Sequence, residues 1–159
     1  MYEESQRTPF LVRYPKAIKP MNVTKALTMN IDIAPTILDY AGIKIPKEIQ
    51  GRSLKQILDF DGKTPEDWRE AVYYHYYEYP GWHSVKRHYG IRTNRYKLIH
   101  FYNDINEWEL YDLNGDISEK KNVYNDPNYK TVREYMLKLL YKTSKEYKDE
   151  DPTEKRIKF

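Results

Sequence analysis

Residues 88–113 read HYGIRTNRYKLIHFYNDINEWELYDL and hold most of three β-prone stretches, 85–92, 96–102 and 108–113. Each is rich in aromatic and β-branched residues, and the connections Thr93-Asn94-Arg95 and Asn103-Asp104-Ile105-Asn106 are short enough for hairpins. A fourth stretch, 72–77, lies just upstream. This spacing predicts a four-stranded antiparallel meander. Downstream, Asp126-Pro127 is a helix-start signal, and Val132, Tyr135, Met136, Leu139 and Leu140 recur at the helical period. An amphipathic helix to about Tyr147 can therefore cover one face of the sheet, and the charged tail, 148–159, is expected to fray.

Upstream of residue 71 the pattern changes. Residues 8–14, TPFLVRY, form a short apolar run closed by Pro15 and predict a strand. In NIDIAPTILDYAG, Asp32 is placed to cap a helix and Pro35 falls in its first turn. Ile33, Ala34, Ile37, Leu38 and Ala41 share one face, and Gly42 is placed to end the helix in a left-handed conformation. Ser53 and Gln56 have capping-box spacing, and Thr64-Pro65 is a second helix-start signal. One strand and one good helix cannot bury both their faces, so this half reads as the end of something larger.

The 159 residues fit one domain, or a domain with an appendage, and can bury roughly two thirds of their unfolded surface. Seventeen tyrosines supply much of the 40% hydrophobic content, so the core must be aromatic. The 27 basic residues against 24 acidic ones, net +3, create no large field of one sign and do not point to nucleic acid. No cysteine is present, which excludes disulfides, thiolate metal sites and cysteine nucleophiles. The opening residues lack a secretory pattern and no apolar run approaches ~20 residues, so neither export nor a membrane partner is expected from this chain as written.

No serine lies in a G-x-S-x-G turn and no glycine loop has phosphate-binding form. Asp32 and Asp39 stand two helical turns apart, and Asp112 with Asp116 reads as turn chemistry more readily than as calcium ligation. Glu3, Glu4 and Arg7 can form local ion pairs worth ~0 to 1 kcal/mol if exposed. His75 and His100 fall within strands and read as sheet residues. His83 and His88 differ, because one lies in the Pro80-Gly81-Trp82 loop and the other near the next strand's start. Sheet-borne loops commonly carry binding groups; His, Arg and Lys can hold an anionic oxygen while Trp or Tyr offers a stacking face. The alternative is an ordinary solvated hairpin loop.

Five motifs then carry a resemblance: YEES-x-RTPFLVRYP at 2–15, NIDIAPTILDYAGI at 30–43, QGRSL at 50–54, HYGIRTNRYKLI at 88–99, and WELYDL at 108–113 followed by D-x-x-E-x-x-N at 116–122. In this order, over almost the whole chain, they resemble the C-terminal portion of formylglycine sulfatases of the alkaline-phosphatase superfamily. Ile117 stands where that family usually has proline. The resemblance implies an α+β chain. Residues 1–60 would be the end of a large α/β catalytic domain, a strand plus a helix, and residues 61–159 a subdomain of four antiparallel strands packed on a C-terminal helix.

It further implies a sulfated sugar or other sulfate ester as substrate, with His83, Arg87 and His88 as substrate-binding residues at the cleft's edge. The formylglycine nucleophile arises in such enzymes from a C/S-x-P-x-R motif that no serine here satisfies. The catalytic portion, and the calcium ion expected in a complete parent enzyme, would lie upstream, leaving this chain alone inactive. Complete relatives are often periplasmic or secreted. Two other readings stay open: a free-standing glycan-binding module, and a fragment of a related phosphatase or phosphonate hydrolase.

Overall fold

The computed structural model describes residues 1–20 and 23–149. They form two compact units, Met1–Thr8 with the described residues from Ala71 onward, and Pro9–Glu70.

The first unit is built on the expected meander, β1 (Val72–Tyr76), β2 (His88–Arg92), β3 (Tyr96–Phe101) and β4 (Glu107–Asp112), all antiparallel in that order. The β2–β3 register pairs His88 with Phe101 and Arg92 with Lys97. Between them the Thr93 amide donates to the Tyr96 carbonyl at 2.8 Å, and the Thr93 hydroxyl accepts from the Tyr96 amide at 2.9 Å. The β3–β4 connection uses left-handed Asn103 and Asn106, a conformation asparagine tolerates better than most residues. β2 begins three residues later than its sequence pattern predicts, because Arg87 directs its side chain to the carbonyls of Tyr77 and Tyr79.

After a 3-10 turn, Pro127–Tyr129, capped by the Asp126 side chain accepting from the Asn128 amide at 2.9 Å, α4 (Lys130–Glu146) runs across one sheet face. Its Met136, Leu139 and Leu140 pack with Tyr89, Ile91, Leu98 and Leu110. Each such aliphatic side chain, fully buried, stabilises by about 1.5 to 3 kcal/mol. The opposite face is covered by the chain's first residues. There Met1 packs on Ile99, Tyr111 and Leu113, beside the single-turn helix α1 (Glu3–Gln6). The fold is thus α+β, with the sheet covered on both faces. Asp149, in the tail expected to fray, is anchored; residues 150–159 lie outside the described residues.

The second unit holds a 3-10 turn, Asn30–Asp32, then α2 (Ile33–Tyr40) and α3 (Lys55–Asp59). Gly42 ends α2 as predicted, at φ +67°. Its amide donates to the Asp39 carbonyl and that of Ile43 to the Leu38 carbonyl, the two bonds of a Schellman cap. Gly51 is required by close approach, since a Cβ there would lie 2.0 Å from the Ile31 carbonyl oxygen.

Three expectations fail in this unit. Residues 8–14 form no strand: Phe10 is 50% and Leu11 94% exposed, and β-prone residues make a strand only where a neighbouring strand pairs with them. Asp32 precedes α2 but does not cap it, because its carboxylate is bonded elsewhere. The Ser53–Gln56 pair makes no reciprocal capping box. Ser53 Oγ donates to Asp39 Oδ2 at 2.5 Å and accepts from the Lys55 amide at 3.2 Å, while Thr64-Pro65 starts only one turn, closed by the Trp68 amide on the Pro65 carbonyl.

Candidate functional site

Three constellations bring the sequence motifs together, two of them buried and one exposed. In the second unit, Asp32 is 0% exposed and accepts from the Met29 amide at 2.8 Å, the Arg52 amide at 2.8 Å and both terminal nitrogens of Arg69, one of them at 2.6 Å. One turn on, the Thr36 hydroxyl donates to the Asp32 carbonyl at 2.6 Å and accepts from the Leu54 amide at 2.8 Å. The segment QGRSL thereby docks on NIDIAPTILD, with Gly51 giving the clearance. A carboxylate so enclosed by donors has no free oxygen for a metal.

In the first unit, Lys97 is fully buried in β3. Its Nζ lies 2.8 Å from Glu3 Oε1 and 2.7 Å from Glu119 Oε1, and donates to the Met1 carbonyl at 3.0 Å. Arg92 grips Glu3 with Nε at 3.0 Å and a terminal nitrogen at 3.1 Å, and the Glu3 amide donates to Glu119 Oε2 at 2.6 Å. Burial alone would raise the Glu3 pKa, but the hydrogen bonds from Arg92 and Lys97 outweigh it and hold the carboxyl at about 2. Glu3 is thus not one of a set of local surface pairs with Arg7. It belongs to a balanced cluster of two cations and two carboxylates drawn from three motifs.

The other residues of the D-x-x-E-x-x-N motif are also structural. Asp116 accepts from the amides of Lys120 and Lys121 at 3.0 and 2.8 Å. Asn122 extends the edge of β4, accepting from the Leu110 amide at 3.0 Å and donating to the Trp108 carbonyl at 3.0 Å. Asp112 pairs with Arg95 at 2.8 Å.

The exposed constellation is loop 77–87, between β1 and β2. Arg87 ties its two arms, donating through Nε to the Tyr77 carbonyl at 3.0 Å and through a terminal nitrogen to the Tyr79 carbonyl. Lys86 donates to the Tyr79 hydroxyl and sits 3.9 Å from that ring's centroid. At the tip Trp82 is 96% exposed, with exposed His83 next to it. The structure therefore brings His83 and Arg87 onto one loop, with Arg87 directing Nε and one terminal nitrogen to the loop's own carbonyls. His88 lies apart, 2% exposed at the start of β2, between the rings of Tyr74 and Tyr76 at 5.7 and 5.4 Å. Its Nδ1 donates to the Lys86 carbonyl at 2.7 Å, and burial pushes its pKa down to about 4. A neutral His88 braces the strand on which the loop stands.

His75 and His100 are strand residues, as read. His100 stacks on Trp108 at 4.0 Å and bonds Tyr89 and Asn106. His75 is more than a sheet residue: it belongs to a polar cluster with Tyr73, Tyr77, Tyr102 and Asp149. The signal for that cluster was the Tyr-x-His-x-Tyr alternation at 73–77, which puts three polar aromatic groups on one face. Among the described residues no three His, Asp or Glu side chains gather to hold a metal ion.

A family model described as N-sulphoglucosamine sulphohydrolase, C-terminal, matches residues 1–146. The chain is 57% identical over 155 residues to the N-acetylglucosamine-6-O-sulfatase of Bacteroides thetaiotaomicron, covering 98% of this chain and 28% of that protein. A solved structure of a protein in complex with its substrate D-glucosamine-2-N,6-O-disulfate matches with a TM-score of 0.87 and 57% identity, over 90% of this chain and 29% of the other. The phosphonate monoester hydrolase of Silicibacter pomeroyi matches with a TM-score of 0.69 and 28% identity, over 89% of this chain and 29% of that one. The chain thus spans under a third of the length of these relatives.

Proposed function

The chain belongs to the sulfatase family, and on that premise we propose that it serves as the C-terminal part of an enzyme that removes sulfate from a sulfated amino sugar. The observation that carries this reading is the 57% identity, over nearly the whole chain, to an N-acetylglucosamine-6-O-sulfatase. The likeness to a structure bound to a disulfated glucosamine supports the same substrate class. In this reading residues 8–14 pair as a strand in a larger sheet, which accounts for the exposure of Phe10 and Leu11.

The share of this chain in the reaction is recognition of the sugar. His83 offers a hydrogen bond to a hydroxyl or carboxylate of the substrate, and Trp82 beside it offers an apolar face. Arg87 holds the loop in the shape that presents them, and His88 supports it from β2. The nucleophile comes from the remainder of the enzyme, as the resemblance implies. Calcium, expected in a complete parent enzyme, comes from that remainder too on the same resemblance.

The phosphonate monoester hydrolase match favours a second reading, in which the same subdomain serves a phosphonate or phosphate ester. One experiment separates them. A complete enzyme carrying these 159 residues is assayed on 6-O-sulfated N-acetylglucosamine and on a phosphonate monoester, with the chain alone as control. Sulfate release by the complete enzyme alone is expected; preference for the phosphonate, or turnover by the isolated chain, would overturn the proposal.

A further inference from the structure

Behind loop 77–87 lies a ring of contacts that joins both of its arms to Asp149, just beyond the C-terminal end of α4. Asp149 Oδ2 accepts from the Tyr73 hydroxyl at 2.6 Å, the Tyr77 hydroxyl at 3.2 Å and His75 Nδ1 at 2.5 Å. An ionised carboxylate only accepts, so His75 Nδ1 carries a proton. The other ring nitrogen, Nε2, lies 2.6 Å from the Tyr102 hydroxyl. Tyr102 in turn donates its amide to the Arg87 carbonyl at 3.1 Å, and Arg87 returns to the Tyr77 carbonyl. His75 also stacks on Tyr77, ring centroids 3.7 Å apart. The His75 side chain is 3% exposed and that of Asp149 9%.

The ring does something α4's packing does not. Met136, Leu139 and Leu140 already fix α4 on the sheet through apolar contact. Asp149 adds charge-assisted bonds to two residues of β1, Tyr73 and His75, and to Tyr77, the first residue beyond the strand. Burial opposes ionisation of Asp149, but the bonds from Tyr73 and His75 outweigh it and lower its pKa. Three donors on one oxygen leave little freedom in where Tyr77 sits, and Tyr77 and Tyr79 are where Arg87 attaches.

We propose that Asp149 and His75 are positioning residues for loop 77–87, fixing through Tyr77 and Tyr102 the two arms from which Trp82 and His83 project. The functional consequence rests on the loop's assignment to sugar recognition; the positioning itself does not.

The test has two readouts. In the 159-residue chain, Asp149→Asn keeps the side chain's shape but turns an acceptor into a donor facing hydroxyls. Amide hydrogen exchange in residues 78–86 should accelerate roughly tenfold, the scale of one lost charge-assisted hydrogen bond, with the amides of β2 and β3 unchanged. Tyr77→Phe, which removes only the loop's hydroxyl, should give a smaller effect at the same residues. Acceleration spread evenly over the sheet, or none in the loop, overturns the positioning role. In a complete enzyme, Asp149→Asn should raise KM for a sulfated glucosamine while leaving kcat on a small aryl sulfate unchanged. If the loop loosens but KM does not move, positioning stands and the loop's assignment to sugar recognition falls.

Discussion

The Lys97 ammonium lies 2.7 Å from the Glu119 carboxylate, and the lysine is 0% exposed near the start of β3. A charge there is tolerated because Glu3 and Glu119 close over it and Arg92 balances the second carboxylate. Lys97→Met removes the cation while preserving the aliphatic stem. Arg92 still serves Glu3, so Glu119 is left as a buried charge without a cation. The loss should be about 3 to 5 kcal/mol of unfolding free energy, read from urea denaturation. The double variant Lys97→Met with Glu119→Gln should recover part of it. A single-variant loss below about 1 kcal/mol would mean the cluster contributes no more than a surface pair.

Asp32 joins two motifs far apart in sequence, and Asp32→Asn should uncouple them. The amide cannot pair with the Arg69 charge, and its nitrogen cannot accept from the Arg52 or Met29 amide. A loss of about 3 to 5 kcal/mol is expected for breaking so buried a pair. The amides of Arg52 and Leu54 should also exchange faster in the variant than in the parent, with those of α4 unchanged. Equal protection in variant and parent would contradict the docking role of Asp32.

His88 makes stability depend on pH. Its folded pKa, held down at about 4 by burial, lies below its ordinary value of 6.5. The unfolded chain therefore binds a proton that the folded chain refuses between those values. Its contribution is complete above pH 6.5, falls as pH is lowered and levels off near 4. The expected change is on the order of 3 kcal/mol. His88→Phe, which can still pack between Tyr74 and Tyr76, should flatten the unfolding free energy across that window. An identical slope in parent and variant would place the titration elsewhere.

The meander was legible because hairpin spacing, strand composition and a helix of clear period all point the same way. The cover on its second face was not, since Met1 and the single turn of α1 are too short to show a period. Residues 8–14 misled because β-propensity describes a surface that fits a sheet and does not supply the neighbouring strand. At Asp32 the sequence fixes a helix start but says nothing of Arg52 and Arg69, which arrive through the tertiary fold. Lys97 did leave a trace: a lysine between Tyr96 and Leu98 in a strand whose interior residues are buried needs a carboxylate from elsewhere. For the candidate site, residue types marked the Pro80-Gly81-Trp82 loop, but strand composition at 77 and 85–87 made it look shorter than the connection between β1 and β2 is. They could not show that Arg87 turns inward or that His88 is buried, because adjacent strand positions look alike until register is known.

The most direct test of the central claim, that loop 77–87 selects the sugar, is made with His83→Ala in a complete enzyme carrying this chain. Hydrolysis of D-glucosamine-2-N,6-O-disulfate is compared with that of a small aryl sulfate. For the sugar kcat/KM should fall roughly tenfold, the scale of one lost hydrogen bond, while the aryl sulfate should change by less than about twofold. An equal loss on both substrates, or none on either, would contradict it.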